Sequence, residues 1–231
     1  MNGEQINQKI RYGYAKAAAK LGSPYELYRA TTPFTPIDPD NLIGTLPMVA
    51  SQDWSWMKAN RPGNAIWFAC IDGQESSEPL SAQEDDYLVG NYKTYFVLTK
   101  EYQLPMQVVE CNKVVNIIRP FQSATAGYDG GYAGYEEADA TPLMENMPIS
   151  LLINRAGRQA ESKLPTDTLQ PSWIALMPNI GETDLRTGDI IVGLENLDNM
   201  PGIVSTSDRF IISAAEETEF GWRLTCLQTM N

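Results

Sequence analysis

The sequence offers few side chains that could perform catalysis, because it contains no histidine. This excludes Ser–His and Cys–His nucleophiles and every metal site with a histidine ligand. Ser55–Lys58 reads S-x-x-K, a pattern in which lysine activates serine on one turn of a helix. The companion S-D-N and K-T-G elements are absent, and the alternation of Trp54 and Trp56 favours a strand instead. We therefore predict no catalytic residue here.

Carboxylates and tryptophans support one alternative function. Two carboxyl groups facing each other across a cleft can hydrolyse a glycoside, and exposed tryptophans can stack on a sugar. Such runs of charge more often form a solvated surface, and such tryptophans more often lie in a core. The alternative is therefore a glycan-binding module or a carboxylate-dependent hydrolase. The residues concerned are Glu84, Asp85 and Asp86; Glu136, Glu137 and Asp139; Glu216, Glu217 and Glu219; and Trp54, Trp56 and Trp67.

Cofactor and metal motifs are missing as well. Cys70, Cys111 and Cys226 are far apart and lie in apolar or alternating segments, which predicts buried, reduced thiols. The Gly/Tyr tract from Gly127 to Tyr135 lacks the G-x-G-x-x-G pattern and a following lysine, so it does not predict a phosphate-binding loop. We expect no cofactor and no metal.

Charge is distributed unevenly along the chain. The net charge is −12, yet residues 1–30 hold five basic and two acidic side chains. An acidic body repels phosphate, so sequence-specific nucleic-acid binding is not expected. A basic arm beside an acidic body suits head-to-tail docking between subunits, although a solvated helix face is the alternative. Without a long apolar run or a signal-like N-terminus, we expect no membrane association and folding in the cytoplasm.

The first segment has the periodicity of an amphipathic helix over residues 4–21, which ends at Gly22 and Pro24. Its predicted apolar stripe must pack on the body or on a neighbour, because a lone helix of this length is marginal in water. The stripe consists of Ile6, Ile10, Tyr14, Ala17, Ala18 and Leu21.

The remaining sequence favours short strands broken by Gly, Pro and Asn. Tyr25–Tyr28 predicts a short strand, Gln107–Ile118 a long strand-like stretch, and the Gly/Tyr tract a linker or loop between modules. We predict a mainly β protein with a helical arm and two small β-barrel or sandwich modules. The predicted boundaries are 1–30 for the arm, 40–120 for module 1, 121–147 for the linker and 148–231 for module 2.

An internal repeat supports two related modules. Trp67–Cys70 matches Trp173–Leu176, Asp86–Gly90 matches Asp189–Gly193, Tyr95–Leu98 matches Arg209–Ile212, and Val109–Cys111 matches Leu224–Cys226. The second copy holds about 11 extra residues within Leu194–Ser207, which we predict to be an exposed loop. Three copies of a two-module chain can close a ring with pseudo-sixfold symmetry.

Two stretches resemble known proteins. Gly13–Gly22 followed by Tyr28 and Arg29 resembles the N-terminus of uncharacterised virion proteins of tailed phages and prophages. The ending is similar to the closing strands of phage head–tail joining and tail-assembly β-barrels; it comprises Leu185–Ile191, Arg209–Ile212 and Gly221–Thr225.

This resemblance implies a non-enzymatic virion protein of the tail, the baseplate or the head–tail junction. Such a protein forms an oligomeric ring or sleeve with itself, a trimer being one such arrangement, and contacts other virion proteins. An acidic channel would let DNA slide through, and the location would change from host cytoplasm to virion. The alternative then becomes a phage-encoded module acting on the cell envelope. The candidate subunit contacts are Ile6, Lys9, Ile10, Arg11, Tyr14, Lys16, Lys20, Tyr128, Tyr132 and Tyr135.

Overall fold

A computed structural model describes residues 3–52, 65–71, 81–101, 104–121, 136–154, 172–195, 200–204 and 207–229. These residues form one α-helix and twelve β-strands. The helix is α1 (Gly3–Leu21). The strands are β1 (Ser23–Tyr28), β2 (Leu42–Ser51), β3 (Ile66–Ile71), β4 (Tyr87–Gly90), β5 (Thr94–Thr99), β6 (Met106–Cys111), β7 (Lys113–Phe121), β8 (Glu136–Ile153), β9 (Ser172–Met177), β10 (Ile190–Gly193), β11 (Arg209–Thr218) and β12 (Gly221–Thr229).

The strands close into two barrels with the same topology. The first has the order β1-β2-β3-β6-β5-β4, and β4 pairs with β1 to close it. The second has the order β7-β8-β9-β12-β11-β10, and β10 pairs with β7. Each strand of the first barrel therefore has a counterpart six strands later in the chain. This confirms the predicted mainly β fold with two related barrels and an internal duplication.

The pairing of the strands corrects the repeat by one residue at β5 and β11. Tyr87 pairs with Phe96, whereas Ile190, the counterpart of Tyr87, pairs with Ile211. Ile211 is therefore the equivalent of Phe96, and Phe210 is not. Apolar runs resemble each other at several offsets, so matching letters cannot fix the register, whereas backbone hydrogen bonds do.

The last block of the repeat also shifts. Trp67 lies opposite Val108, and its counterpart Trp173 lies opposite Cys226. Cys226 is thus equivalent to Val108. The sequence match had aligned Cys226 with Cys111, which lies three residues further along the chain. All three cysteines are buried free thiols, as predicted.

The boundary between the barrels differs from the predicted one. β1 belongs to the first barrel, and β7 already belongs to the second, so the chain changes barrel at Asn112. The Asn112 side chain continues the strand pattern there, because its Nδ2 donates to Leu151 O at 2.9 Å and its Oδ1 accepts from Leu151 N at 2.8 Å. The tract within 121–147 instead connects β7 and β8, two paired strands of one barrel.

An arginine–aspartate arrangement that we call the fork lies where each barrel closes. In the first barrel Arg29 follows β1 and Asp86 precedes β4; Arg29 Nε and Nη2 donate to the two carboxylate oxygens at 2.8 and 2.7 Å. In the second barrel Arg119 donates in the same way to Asp189 at 2.8 and 2.9 Å. Both carboxylates are almost completely buried, and the hydrogen bonds to them raise the pKa of each arginine.

The two barrels pack as one body. One apolar core contains Tyr87 and Phe96 of the first barrel together with Ile117 and Met144 of the second. The buried Tyr87 hydroxyl donates to Pro148 O at 2.9 Å across the junction. Such continuous packing and a satisfied buried hydroxyl hold the barrels in a fixed relation.

Part of the insertion in the second copy is a further link between the barrels. Met200 is buried, and Pro201 O accepts a hydrogen bond of 3.0 Å from Thr94 Oγ1 of the first barrel. The Val204 amide donates to Asn112 O at 3.0 Å, although its side chain is exposed. The predicted exposure therefore holds for Gly202 and Val204, whereas Met200 is buried and Pro201 is hydrogen-bonded to the first barrel.

We predict that Asp86→Ala or Asp189→Ala destabilises the protein by about 2–4 kcal/mol, because each change leaves a partly buried guanidinium and a backbone N–H without their acceptor. Urea unfolding followed by tryptophan fluorescence measures the loss. The control is Glu216→Ala, which breaks the exposed pair with Arg223 and is expected to leave the unfolding midpoint near that of the wild type. Equal midpoints for all three variants would refute a structural role of the forks.

Candidate interaction surface

Helix α1 packs on the first barrel and does not project freely. Ala18 is fully buried, and the helix contacts β2 and β3. A Cβ at Gly22 would collide with Ala18 O and the Met48 nitrogen, so this glycine permits the close turn from α1 into β1. The first barrel therefore fixes the direction in which the other faces of the helix point.

The inward face of α1 includes three of the predicted subunit contacts. Ile10, Arg11 and Tyr14 are half-buried on the side of Ala18. Burial raises the pKa of the Tyr14 hydroxyl, with a smaller contribution from nearby Cys70 of β3. These three residues thus pack within their own chain, whereas Ile6 is 46% exposed and Leu21, also predicted to lie in the packed stripe, is 77% exposed.

The outward face of α1 carries a row of three exposed lysines, Lys9, Lys16 and Lys20, which we call the basic row. Their spacings of seven and four residues place them on one side of the helix, opposite Ala18. Tyr12 lies beside the row with 69% of its surface exposed, and Lys16 Nζ lies 6.0 Å from the centre of its ring. A shallow groove runs along Gln5, Gln8, Lys9 and Tyr12.

Tyr12 is a surface residue that the sequence analysis missed. The search for a helical period selected apolar residues of the buried stripe, and Tyr12 does not belong to that stripe. An aromatic residue on the polar side of an amphipathic helix was the available signal, since tyrosine is enriched at protein interfaces. The other predicted contacts, Tyr128, Tyr132 and Tyr135, lie outside the described residues, as do Ser55–Lys58 and Trp54.

The described tryptophan of the proposed sugar platform is part of the packing. Trp67 is half-buried, and its ring makes an edge contact with Tyr95 at 6.0 Å between ring centres. Lys93 Nζ covers the ring at 3.9 Å. The second barrel repeats the pair with Trp173 and Phe210, 5.4 Å apart at a similar angle. The repetition indicates a structural role for both pairs, because both occupy the same place in the barrel.

One serine and one lysine come close enough to suggest chemistry. Lys100 Nζ donates to Ser81 Oγ at 2.7 Å and to Ala82 O at 3.0 Å. Burial, together with the positive charges of Arg11 and Arg29, lowers the pKa of Lys100. A lysine beside a serine can act as its general base. Ser81 is buried, however, and its carbonyl accepts from Arg29 Nη2 at 2.8 Å, so these contacts hold the segment before β4 in place.

The predicted acidic groups have different partners, although Asp85 and Glu217 both accept a hydrogen bond from Asn179. Asp86 belongs to a fork, Asp85 lies at the junction of the barrels, and Glu216, Glu217 and Glu219 lie at the end of the β11–β12 hairpin. Side chains of Glu136, Glu137 and Asp139 are not among the described ones. Within the described ranges, no three acidic or cysteine side chains group together to hold a metal ion.

Asn179 connects the first barrel to this hairpin. Its backbone N–H donates to Asp85 Oδ1 at 2.9 Å across the junction. Its side chain donates to Glu217 Oε1 at 2.8 Å and accepts from Trp222 Nε1 at 3.2 Å. Asn179, the second residue after β9, thus orients both strands of the hairpin relative to the first barrel.

Comparison with family models, with curated proteins and with solved structures finds no match for this chain. Among the described residues, no helix is long and apolar enough to cross a membrane.

We predict that Asp85→Asn raises the melting temperature at pH 7. Burial is the main cause that raises the Asp85 pKa, and Glu84 and Asp86 add to it. The folded protein therefore binds the proton of the Asp85 carboxyl group more tightly than the unfolded chain does. The resulting stabilisation is lost as the pH rises from the ordinary pKa of an aspartate through the raised pKa of the folded state. Asparagine keeps the acceptor for Asn179 N–H and tolerates the φ of +68° at this position.

The measurement is a set of thermal unfolding curves between pH 4 and pH 8. The advantage of Asp85→Asn over the wild type should shrink as the pH falls, because the wild-type carboxyl becomes protonated. Glu182→Gln, a change at an exposed carboxylate, is the control and should show no such dependence. A melting temperature at pH 7 below that of the wild type would contradict the prediction.

Proposed function

We propose that this chain is a non-enzymatic structural protein of a tailed-phage particle that assembles with itself into a ring or sleeve. It belongs to the tail, the baseplate or the head–tail junction. The single observation that carries the proposal is the basic row, which a packed helix presents outward on a chain with a net charge of −12. A surface that is opposite in charge to the rest of the molecule favours contact with a second copy.

The rigidity of the body supports this role. A subunit of a ring has to keep its contact surfaces at a fixed angle, because a small rotation per subunit decides whether the ring closes. Beyond the shared core, Phe34 pairs with Glu145 of β8 through a parallel bridge. The Thr35 amide donates to Glu145 O at 2.8 Å, and the Glu145 amide donates to Pro33 O at 3.1 Å. The connection after β1 is thereby attached to the second barrel.

The composition of the outward helix face also fits a subunit contact. An ion pair between one exposed lysine and one carboxylate contributes little to the free energy of binding, typically under about 1 kcal/mol. Several such pairs around an aromatic residue contribute more, because the aromatic side chain buries apolar surface at the centre of the contact. Tyr12 beside the basic row provides that aromatic residue, and Ile6 adds exposed apolar surface nearby.

The duplication and the acidic charge suit the location. Two barrels of the same topology in one chain allow three copies to present six similar modules around an axis. Such a trimer would match sixfold and threefold neighbours in a tail. An acidic inner surface would repel the phosphates of DNA, so that DNA passes without binding.

We expect the purified protein to have a native mass of at least three times 25.7 kDa in light scattering, with closed rings in negative-stain images of the same sample. Lys9→Gln, Lys16→Gln and Lys20→Gln together should reduce the mass to that of the monomer, because the three side chains are exposed and their loss leaves the fold intact. Arg186→Gln, which removes an exposed cation from the second barrel, is the control and should assemble as the wild type does.

Two results would overturn the proposal. One is a wild-type protein that stays monomeric at every concentration up to its solubility limit. The other is an assembly that the triple lysine variant forms as well as the wild type does, since the basic row would then play no part in it. Circular dichroism of each variant checks that the barrels remain folded.

A further inference from the structure

We infer that the basic row of one copy docks on the tip of the β11–β12 hairpin of the next copy. This inference rests on the proposed function and names the surface that receives the arm. The hairpin tip is defined here as Glu216–Gly221, the end of β11, the turn and the first residue of β12. The tip belongs to a hairpin with long strands, carries acidic and apolar surface, and is held rigid by its own contacts.

The β11–β12 hairpin has longer strands than its counterpart in the first barrel. β11 and β12 have 10 and 9 residues, whereas β5 and β6 have 6 residues each. Its added length carries the acidic tip. Glu216, Glu217, Glu219 and Phe220 are all exposed, and Phe220 presents 43% of its surface. A duplicated barrel needs no such extension for its own closure, since the first barrel closes without one.

The tip is rigid although it is exposed. Thr218 Oγ1 donates to Gly221 O at 2.8 Å and accepts from the Phe220 amide at 3.2 Å, which fixes the turn. Gly221 has a φ of +103°, and a Cβ there would collide with Met177 O, so the turn requires glycine. A surface that is already ordered loses little conformational entropy on binding.

The tip and the outward face of α1 are complementary in chemistry. The tip offers carboxylates around an exposed phenylalanine, and the helix offers the basic row beside Tyr12. Arg223 pairs with Glu216 at 3.5 Å, but both side chains are more than half exposed, so this pair is weak. Glu217 and Glu219 leave the tip with a negative charge that opposes the lysines.

The positions of the two surfaces favour a head-to-tail contact. The arm packs on the first barrel, and the tip belongs to the second, so the contact joins the first barrel of one copy to the second barrel of the next. Two different surfaces on each copy produce a heterologous contact, which generates a ring when the rotation closes. The partner is thus a second copy of this chain.

Charge exchange between the two surfaces tests the inference. The arm variant carries Lys9→Glu and Lys16→Glu, and the tip variant carries Glu216→Lys and Glu219→Lys; Glu217 is kept because it accepts from Asn179. Each variant alone should self-associate at least tenfold more weakly than the wild type in analytical ultracentrifugation. A chain that carries all four substitutions should recover the assembly at any ring size, because each reversed arm then meets a reversed tip on the next copy. Glu101→Lys, an exposed reversal on the first barrel, is the control and should assemble normally.

The outcomes separate this inference from the proposed function. Recovery by the chain with all four substitutions supports the docking of arm on tip. If the arm variant fails to assemble, the tip variant assembles like the wild type and the combined variant gains nothing, the acceptor is another surface; the inference is then overturned while the proposed ring remains. A wild-type protein that never assembles overturns both.

Discussion

The fork between an arginine and a buried aspartate is the interaction on which the rest of the structure depends. Asp86 accepts both hydrogen bonds of the Arg29 fork and a third from the Gln83 amide at 2.7 Å, and Asp189 has the same three kinds of donor. A buried carboxylate is tolerated only when its oxygens are satisfied in this way. The fork joins the end of the first strand to the start of the fourth strand, where each barrel closes. Because Asp85 precedes Asp86, the same turn also places the acceptor for Asn179.

The two barrels share this frame and differ at their periphery. In the first barrel Lys93 pairs with Glu110 at 2.9 Å, while the corresponding place in the second barrel has Gln228 donating to Asp208 at 3.2 Å. The arginine and the aspartate of the fork recur in both barrels because they hold together the two strands at which each barrel closes. The helix of the first barrel and the insertion of the second have no counterparts, and the β11–β12 hairpin has longer strands than β5–β6. These three parts form the link between the barrels and the proposed contact surfaces. Function located on additions to a repeated frame is a common consequence of duplication.

Rigidity connects the fold to the proposed assembly. The apolar core that the second barrel shares with part of the first, the Tyr87 hydroxyl and the contacts of Asn179 leave little freedom between the arm on one barrel and the hairpin on the other. A ring built from head-to-tail contacts requires this, since the angle between the donor and acceptor surfaces sets the number of subunits. Packed interiors transmit such constraints, because they resist deformation.

The sequence alone determined the helix, the strand content, the duplication and the burial of the cysteines, since local periodicity and composition follow directly from which faces must be apolar. It also located the lysines of the basic row. The tertiary structure decided the barrel boundary at Asn112, the register of the repeat, and which side of the helix faces outward. The boundary could not be predicted because Asn112 continues the strand pattern, so the composition of the sequence does not change there. The register could not be predicted because similar apolar runs match at several offsets. The exposure of Tyr12 and of Phe220 depends on what lies across from each residue in space, and that is set by hydrogen bonds and packing between segments far apart in the chain.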